Sequence, residues 1–180
     1  DLEDVQVNFD GITYAKGGSV LKQLVAWVGR DAFFGGVAAY LKKHAWGNAE
    51  LTDLFAEFEK TSGRELSSWS KLWLETAGVN TLRPEFETDA DGTFTSFAVL
   101  QSAPTDYPTI RPLAIGLYSL DGATLVRTHR VELDVAGERT EVTELVGHAK
   151  PDLVLVNDDD LAYAKIRLDE DSFAVAIKHL

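Results

Sequence analysis

The hydrophobic residues of this 180-residue chain change their spacing near residue 80, and that change constrains the fold more than any other feature. Residues 12–77 place apolar side chains three and four positions apart, the period of a helix that buries one face. After the segment "GVNTLRP" (78–84), apolar and polar residues alternate, the period of a half-buried strand. Two periods in two successive parts predict an α+β chain, helical first and sheet-forming second.

Four helices are predicted in the first part, each with an apolar face and a turn residue at its end. The predicted buried faces are Val20, Leu21, Leu24, Val25 and Val28; Phe33, Phe34, Val37, Tyr40 and Leu41; Leu54, Phe55 and Phe58; and Trp69, Leu72 and Trp73. The predicted N-caps of the second, third and fourth helices are Asp31, Thr52 and Ser67 or Ser68, and the predicted stops are Gly29, Gly63 and Gly78.

The second part is predicted to form an antiparallel β-sandwich of roughly seven strands, because no helical period separates its strands. Residues 128–135 and 162–168 alternate, and "LVLV" at 153–156 is typical of a strand buried on both faces. Turns are expected at Asp91-Gly92, Asp121-Gly122 and Ala136-Gly137. The final segment, "DSFAVAIKHL", is predicted to be a capped helix.

Charge excludes several classes of function. The net charge is −12, with 8 Lys and Arg against 11 Asp and Glu in residues 1–80 and 9 against 18 in the rest. So acidic a chain is not expected to bind nucleic acid or an anionic membrane surface. It has no Cys, which excludes disulfides and thiolate metal sites and fits a cytoplasmic protein. No apolar run approaches the roughly 18 residues of a membrane span.

Motifs for metal sites are incomplete. "ETDADG" at 87–92 resembles half of an EF-hand loop, but Ala98 stands where the bidentate Glu is required, so a hairpin turn is expected. "NDDD" at 157–160 is interpreted as a solvated turn. The histidines are not spaced for zinc, and no His-Glu-x-x-His motif occurs, so no metal ligand is predicted in this chain.

Two strings carry a resemblance to a known family. They are "FDGITYAKGGSVLKQL" at 9–24 and "FFGGVAAYLKKHAWGNAELTDLFAEFEKTSGRELSSWSKLWLETAG" at 33–78. They resemble the aminopeptidase N family of zinc metallopeptidases, whose catalytic domain contains the phrase Phe-Asp-x-Ile-x-Tyr-x-Lys-Gly-x-x-Val-Leu. The residues that fit this phrase are Phe9, Asp10, Ile12, Tyr14, Lys16, Gly17, Val20 and Leu21. A looser resemblance links "LVLVNDDDLAYAKIRLDE" at 153–170 to the end of the family's β-sandwich domain.

The resemblance implies a catalytic role for Tyr14. In the family this tyrosine donates a hydrogen bond to the oxyanion that forms when zinc-activated water attacks a peptide carbonyl. A phenol suits the task, since it stays protonated at neutral pH and can donate to developing negative charge. Lys16 and Gly17 are expected to be structural.

The family's zinc ligands, general-base Glu and substrate-amine loop would lie upstream of Asp1. The chain has no Met and starts in an acidic stretch, so we interpret it as a piece of a longer protein. The resemblance implies the helical C-terminal part of a thermolysin-like catalytic domain (1–79), a β-sandwich domain (80–170) and the start of a C-terminal helical domain (171–180). The parent would bind Zn and cleave N-terminal residues from peptides, whereas the isolated fragment is expected to be inactive.

Two further expectations concern partners. Helices taken from a catalytic domain leave apolar surface uncovered, so self-association through residues 12–77 is expected. The alternative function is a free-standing helical and β-sandwich module that binds a protein or carbohydrate.

Overall fold

The computed structural model describes residues 14–76, 78–104 and 109–179. The chain divides into two compact units, Asp1–Ala77 and Gly78–Leu180. The first is helical and the second contains the sheets, which confirms the predicted α+β class. The assignment of residues 1–79, 80–170 and 171–180 to three domains of a larger protein stays a prediction.

The helical unit contains four α-helices in its described part. A π-helical turn at 14–16 leads into α1, and the helices are α1 (Gly17–Val28), α2 (Arg30–Lys43), α3 (Leu51–Ser62) and α4 (Ser67–Leu74). Gly29 and Gly63 follow α1 and α3 with φ of +90° and +69°, so both predicted glycine stops are confirmed.

The predicted caps are partly wrong. Asp31 lies in the first turn of α2, which starts directly after Gly29. Glu50, not Thr52, precedes α3, and its backbone N–H donates to the Asp53 carboxylate at 2.9 Å. Helix α4 starts at Ser67, as predicted, but it ends at Leu74, before the predicted stop at Gly78.

Fewer residues are buried in the core of the helical unit than the predicted apolar faces contain. Its fully buried apolar residues include Leu24, Phe58 and Leu66. Three predicted core positions are exposed: Leu21 (49%), Phe34 (54%) and Leu41 (61%). On α2, the exposure of Phe34 is explained by the way this helix packs against α3. The rings of Phe33 and Phe58 stack with centroids 4.7 Å apart, so the Phe33 side of α2 is covered and the Phe34 side is not.

The second unit contains two sheets. The strands are β1 (Thr81–Thr88), β2 (Phe94–Ser102), β3 (Ile110–Asp121), β4 (Thr124–Val135), β5 (Arg139–Glu141), β6 (Leu153–Val156) and β7 (Lys165–Ile166). One sheet has the order β5-β2-β1-β7 and the other β4-β3-β6. The pairings are antiparallel except β1 with β7, which run parallel. The expectation of a purely antiparallel arrangement is therefore wrong at this edge, and the strand expected at 162–168 shrinks to two residues.

Aromatic and aliphatic side chains fill the sheet core. Phe94, Phe97, Ile115 and Leu117 are almost completely buried. The ring of Phe86 on β1 stacks on that of Phe97 on β2, with centroids 5.6 Å apart. The strand predicted at 153–156 is β6, and all of its residues except Leu155 are buried.

The segment resembling half of an EF-hand is a hairpin turn, as expected. It joins β1 to β2, and the Asp89 carboxylate accepts hydrogen bonds from the backbone N–H groups of Asp91 (3.0 Å) and Thr93 (2.8 Å). Gly92 adopts φ of +78° there.

A fifth helix, α5 (Glu170–His179), packs against β6 within the sheet unit. The hydroxyl of Ser172, which is 1% exposed, accepts a hydrogen bond from the Val154 backbone N–H at 2.8 Å.

Among the described residues, no single helix is long and apolar enough to cross a membrane. The pair Tyr14–Val28 and Arg30–Lys43 passes a test of length and composition when the two are taken together, with a bend of 112° between them.

Two adjacent glycines of α2 should respond oppositely to alanine. A Cβ at Gly36 would lie 2.5 Å from the Phe58 ring, and Phe58 is 0% exposed. We expect Gly36→Ala to lower the free energy of unfolding of the helical unit by about 1–3 kcal/mol, the usual effect of overpacking. All four tryptophans lie in this unit, so urea unfolding followed by tryptophan fluorescence measures it.

Gly35→Ala is the matched control. Its Cβ would make an ordinary contact of 3.7 Å with Thr61, so the gain in helix propensity should raise stability by about 0.5–1 kcal/mol. Equal effects of the two substitutions would contradict the packing of α2 on α3 described above.

Candidate functional site

Tyr14, the predicted catalytic residue, lies in the π-helical turn directly before α1. It is 67% exposed. Phe9, Asp10 and Ile12, which belong to the same sequence phrase, lie outside the described residues. A single π-helical turn is rare and often occurs at a functional site. The phenol of Tyr14 thus lies at the surface of the helical unit, in such a turn and beside the start of a helix.

Lys16 fixes the turn that carries Tyr14. Its Nζ donates a hydrogen bond to the backbone carbonyl of Thr76, with the two atoms 3.1 Å apart. This bond joins the start of α1 to the segment that follows α4. The observation agrees with the structural role expected for Lys16, and Gly17 is the first residue of α1.

The buried side of α1 holds the helix in place. Val20 and Leu24 are 2% and 0% exposed. The Trp27 ring stacks on that of Trp69 in α4, with centroids 6.3 Å apart, and the Arg64 guanidinium lies 5.7 Å from the Trp27 ring centroid. Tyr14 is thus attached to a helix that packing restrains, which a group positioned for catalysis requires.

The histidines do not assemble a metal site in the described part of the chain. The rings of His129 and His148 stack with centroids 4.2 Å apart, and His44 Nε2 lies 4.0 Å from an Asp53 carboxylate oxygen. Among residues 14–76, 78–104 and 109–179, no three His, Cys, Asp or Glu side chains group so as to hold a metal ion.

The "NDDD" segment is not a fully solvated turn, and that interpretation is wrong at Asp158. Its side chain is 2% exposed. Its carboxylate accepts hydrogen bonds from the Tyr118 hydroxyl at 2.6 Å and from Arg127 Nη1 at 2.7 Å. The neighbouring Asp159 is 49% exposed and accepts from Arg130 Nε at 3.1 Å. This network joins the 3₁₀ turn after β6 to strands β3 and β4.

The backbone around Asp158 is adapted to its burial. Asn157, Asp159 and Asp160 have positive φ of 67°, 61° and 52°, an uncommon conformation that Asn and Asp tolerate best. A Cβ at Gly116 on β3 would lie 2.7 Å from an Asp158 carboxylate oxygen, so only glycine leaves room for that group.

The network changes the ionisation of its members. Burial, and then the hydrogen bond to the Asp158 carboxylate, raise the pKa of Tyr118. The hydrogen bond to the same carboxylate raises the pKa of Arg127. Both shifts arise from one structural ion-pair network, so they do not by themselves indicate catalysis.

Comparison with protein families and curated proteins gives related chains. Residues 1–76 match the Peptidase family M1 domain. Aminopeptidase N of Streptomyces lividans is 64% identical over 189 residues, an alignment that covers 100% of this chain and 22% of that protein. Aminopeptidase 2 of Candida albicans is 29% identical over 123 residues, covering 67% of this chain and 13% of that protein. The chain thus spans about a fifth or less of the length of these curated relatives.

A solved structure shares the fold. The crystal structure of Legionella pneumophila aminopeptidase A in complex with aspartic acid superposes with a TM-score of 0.68, covering 92% of this chain and 19% of that chain. The two sequences are 15% identical, so this likeness concerns the fold alone.

Neutralising two adjacent carboxylates should have unequal effects. Asp158→Asn replaces one carboxylate oxygen by an NH₂ group, which cannot accept a hydrogen bond. Tyr118 and Arg127 each donate to a different oxygen of this carboxylate, so one of the two donors would lose its acceptor. Hydrogen bonds to charged groups contribute about 1.5–3 kcal/mol each, so we expect a loss of at least that size in the free energy of unfolding. Asp159→Asn weakens a half-exposed ion pair with Arg130, so it should change the free energy of unfolding by less than about 1 kcal/mol. Urea unfolding followed by circular dichroism measures both, and equal losses would refute the buried network.

Stability at high pH should report on Tyr118. The pKa of Tyr118 is raised in the folded state. Its contribution to the free energy of unfolding is therefore complete below the ordinary tyrosine pKa of about 10, and it is lost as the pH rises through the folded-state pKa. The difference in stability between the wild type and Tyr118→Phe should therefore be constant between about pH 7 and 9 and shrink above about pH 10. A difference that stays constant to high pH would show that the hydroxyl is not linked to folding.

Proposed function

We propose a function for this chain as a segment of a peptidase family M1 protein: it supplies the oxyanion-stabilising tyrosine, Tyr14, of a zinc-dependent aminopeptidase that removes N-terminal residues from peptides. The observation that carries the proposal is the placement of Tyr14. It is exposed, it precedes a restrained helix, and it lies within the residues that match the family M1 domain.

The chemistry of the reaction supports this role. Attack on a peptide carbonyl develops negative charge on oxygen, and a fixed hydrogen-bond donor stabilises that charge most where it is largest, in the transition state. The hydrogen bond of Lys16 and the packing of α1 restrain the backbone that carries Tyr14. A donor that is already positioned needs little rearrangement during the reaction.

Zinc would come from outside this chain. In such an enzyme the metal polarises the carbonyl and activates the attacking water. The described residues do not fit a zinc site, since they offer no group of three suitable ligands. We therefore propose that the ligands and the general base belong to other parts of the parent, and that the isolated chain does not hydrolyse peptides.

The helical unit also offers surface for the self-association expected from the sequence. Its exposed large apolar residues include Phe34 and Leu41, which lie seven positions apart and therefore on one side of α2. Self-association stays a prediction. The alternative of a free-standing binding module is not favoured, because the similarity to Streptomyces lividans aminopeptidase N covers the whole chain.

Removal of one hydroxyl group tests the proposal in the intact parent enzyme. Tyr14→Phe keeps the exposed ring and should leave folding and zinc content unchanged. Loss of an oxyanion donor typically costs about 2.7–4 kcal/mol of transition-state stabilisation, so kcat should fall roughly 10²–10³-fold. KM should change far less, because the ground-state carbonyl carries less charge. Steady-state hydrolysis of an aminoacyl anilide, with metal analysis, measures these quantities.

Tyr40→Phe is the matched control. Tyr40 lies on α2 of the same unit, and its ring packs near that of His44, with centroids 5.3 Å apart. This variant should keep the wild-type kcat, and the isolated chain, assayed in parallel, should show no activity. A Tyr14→Phe enzyme with nearly full kcat would assign Tyr14 to packing, and one that loses zinc or unfolds would assign it to structure.

A further inference from the structure

A groove on the four-stranded sheet contains three arginines. It has a volume of about 600 Å³, and its lining includes Arg83, Arg139 and Arg167 together with the hydroxyl-bearing Thr81 and Ser102. Its size falls within the range of sites for small molecules. The groove lies wholly within the sheet unit and involves none of the residues assigned to the proposed reaction.

Strand register places two of these arginines side by side. Leu82 on β1 is the partner of Ile166 on β7 in the parallel pair, and the Arg167 backbone N–H continues the ladder by donating to the Leu82 carbonyl at 2.8 Å. Arg83 and Arg167 are the next residues on each segment. Paired strands lie about 4.7–4.9 Å apart, so both guanidinium groups can reach a single anion.

The third arginine lies on the other side of Leu100. Arg83 is paired with Leu100 across β1 and β2, and Leu100 is paired with Arg139 across β2 and β5. These three residues therefore share one face of the sheet. Arg139 forms ion pairs with Glu85 and Glu141, and these hydrogen bonds raise its pKa. Its charge is thus already compensated.

Arg83 and Arg167 differ from Arg139 in this respect. Both are exposed, and among the residues that the structure describes, neither side chain has an ion-pair or hydrogen-bond partner. The carboxylate that lines the groove, Glu138, is outnumbered by the arginines. This positive site lies in the more acidic part of the chain, where Asp and Glu outnumber Lys and Arg by 18 to 9 after residue 80.

We propose that this groove binds a small organic anion, whose carboxylate or phosphate group is held between Arg83 and Arg167. The planar guanidinium forms paired hydrogen bonds with either oxyanion. The hydroxyls of Thr81 and Ser102, which are paired with each other in the adjacent row of the sheet, can donate further hydrogen bonds. Leu100 provides apolar surface for the neutral part of the ligand. The acidic surroundings disfavour polyanions, since repulsion from the rest of the unit grows with ligand charge.

Isothermal titration calorimetry on the full chain tests the proposal. Inorganic phosphate and acetate serve as probes, each titrated at constant ionic strength set with chloride. Saturable binding of either probe is expected; preference for phosphate would indicate a phosphate ester as the ligand, and preference for acetate a carboxylate. Arg83→Gln and Arg167→Gln should each weaken binding at least tenfold, and Arg83→Lys, which keeps the charge but loses the planar fork, should weaken it less.

Lys178→Gln is the control for net charge. It removes one positive charge from α5 in the same unit, and Lys178 does not line the groove. Unchanged affinity in this variant, with loss in the two arginine variants, supports a specific site. The proposal is overturned if neither probe saturates, if the arginine variants bind as the wild type does, or if Lys178→Gln weakens binding equally. Circular dichroism of each variant confirms that the fold is retained.

Discussion

The helical unit depends on the close pairing of α2 with α3. Phe58 is fully buried, its ring stacks on Phe33, and Gly36 leaves it the space to approach the backbone of α2. At one end of the pair the Thr61 hydroxyl donates to the Ala32 carbonyl at 2.8 Å. Such contacts between two helices restrain both more strongly than helix propensity alone can. The other side of α2 stays exposed at Phe34, whose ring contacts Arg30 and Phe33 of the same helix.

Two clusters of perturbed ionisable groups, one around Glu57 and one around Asp158, stabilise the fold and do not identify a catalytic centre. Glu57, on α3, accepts hydrogen bonds from Lys60 at 2.7 Å and from Lys43 of α2 at 3.2 Å, and these bonds lower its pKa. The carboxylate is nearly buried, so its lysine partners offset the loss of hydration. In the sheet unit, Tyr118 and Arg127 offset the loss of hydration of the buried Asp158 carboxylate in the same way. Shifted pKa values are common at active sites, but here both clusters link secondary-structure elements.

The sequence predicted the elements of the fold better than their environments. Gly29 and Gly63 ended helices as expected because the chain needs a positive φ at each of these positions, which is a local requirement. Burial is not local. The second helix is apolar on more than one side, so its period could not show that Phe34 would be exposed. Asp158 is buried because Gly116, on a distant strand, leaves room for its carboxylate, and no spacing within "NDDD" contains that information.

The two sites differ in how far residues alone could predict them. Tyr14 was assigned through a family phrase, and the physical chemistry of an isolated tyrosine would not have distinguished it from packing. The structure adds the exposure of its ring and the restraint of its helix. The arginine groove needed the opposite kind of information. Arg83 and Arg167 each alternate with apolar neighbours, which predicts exposed positions, but their proximity depends on a parallel pairing between the first and last strands of the unit. Such a non-local pairing is set by the folded topology, so a binding site built across it becomes visible only in the structure.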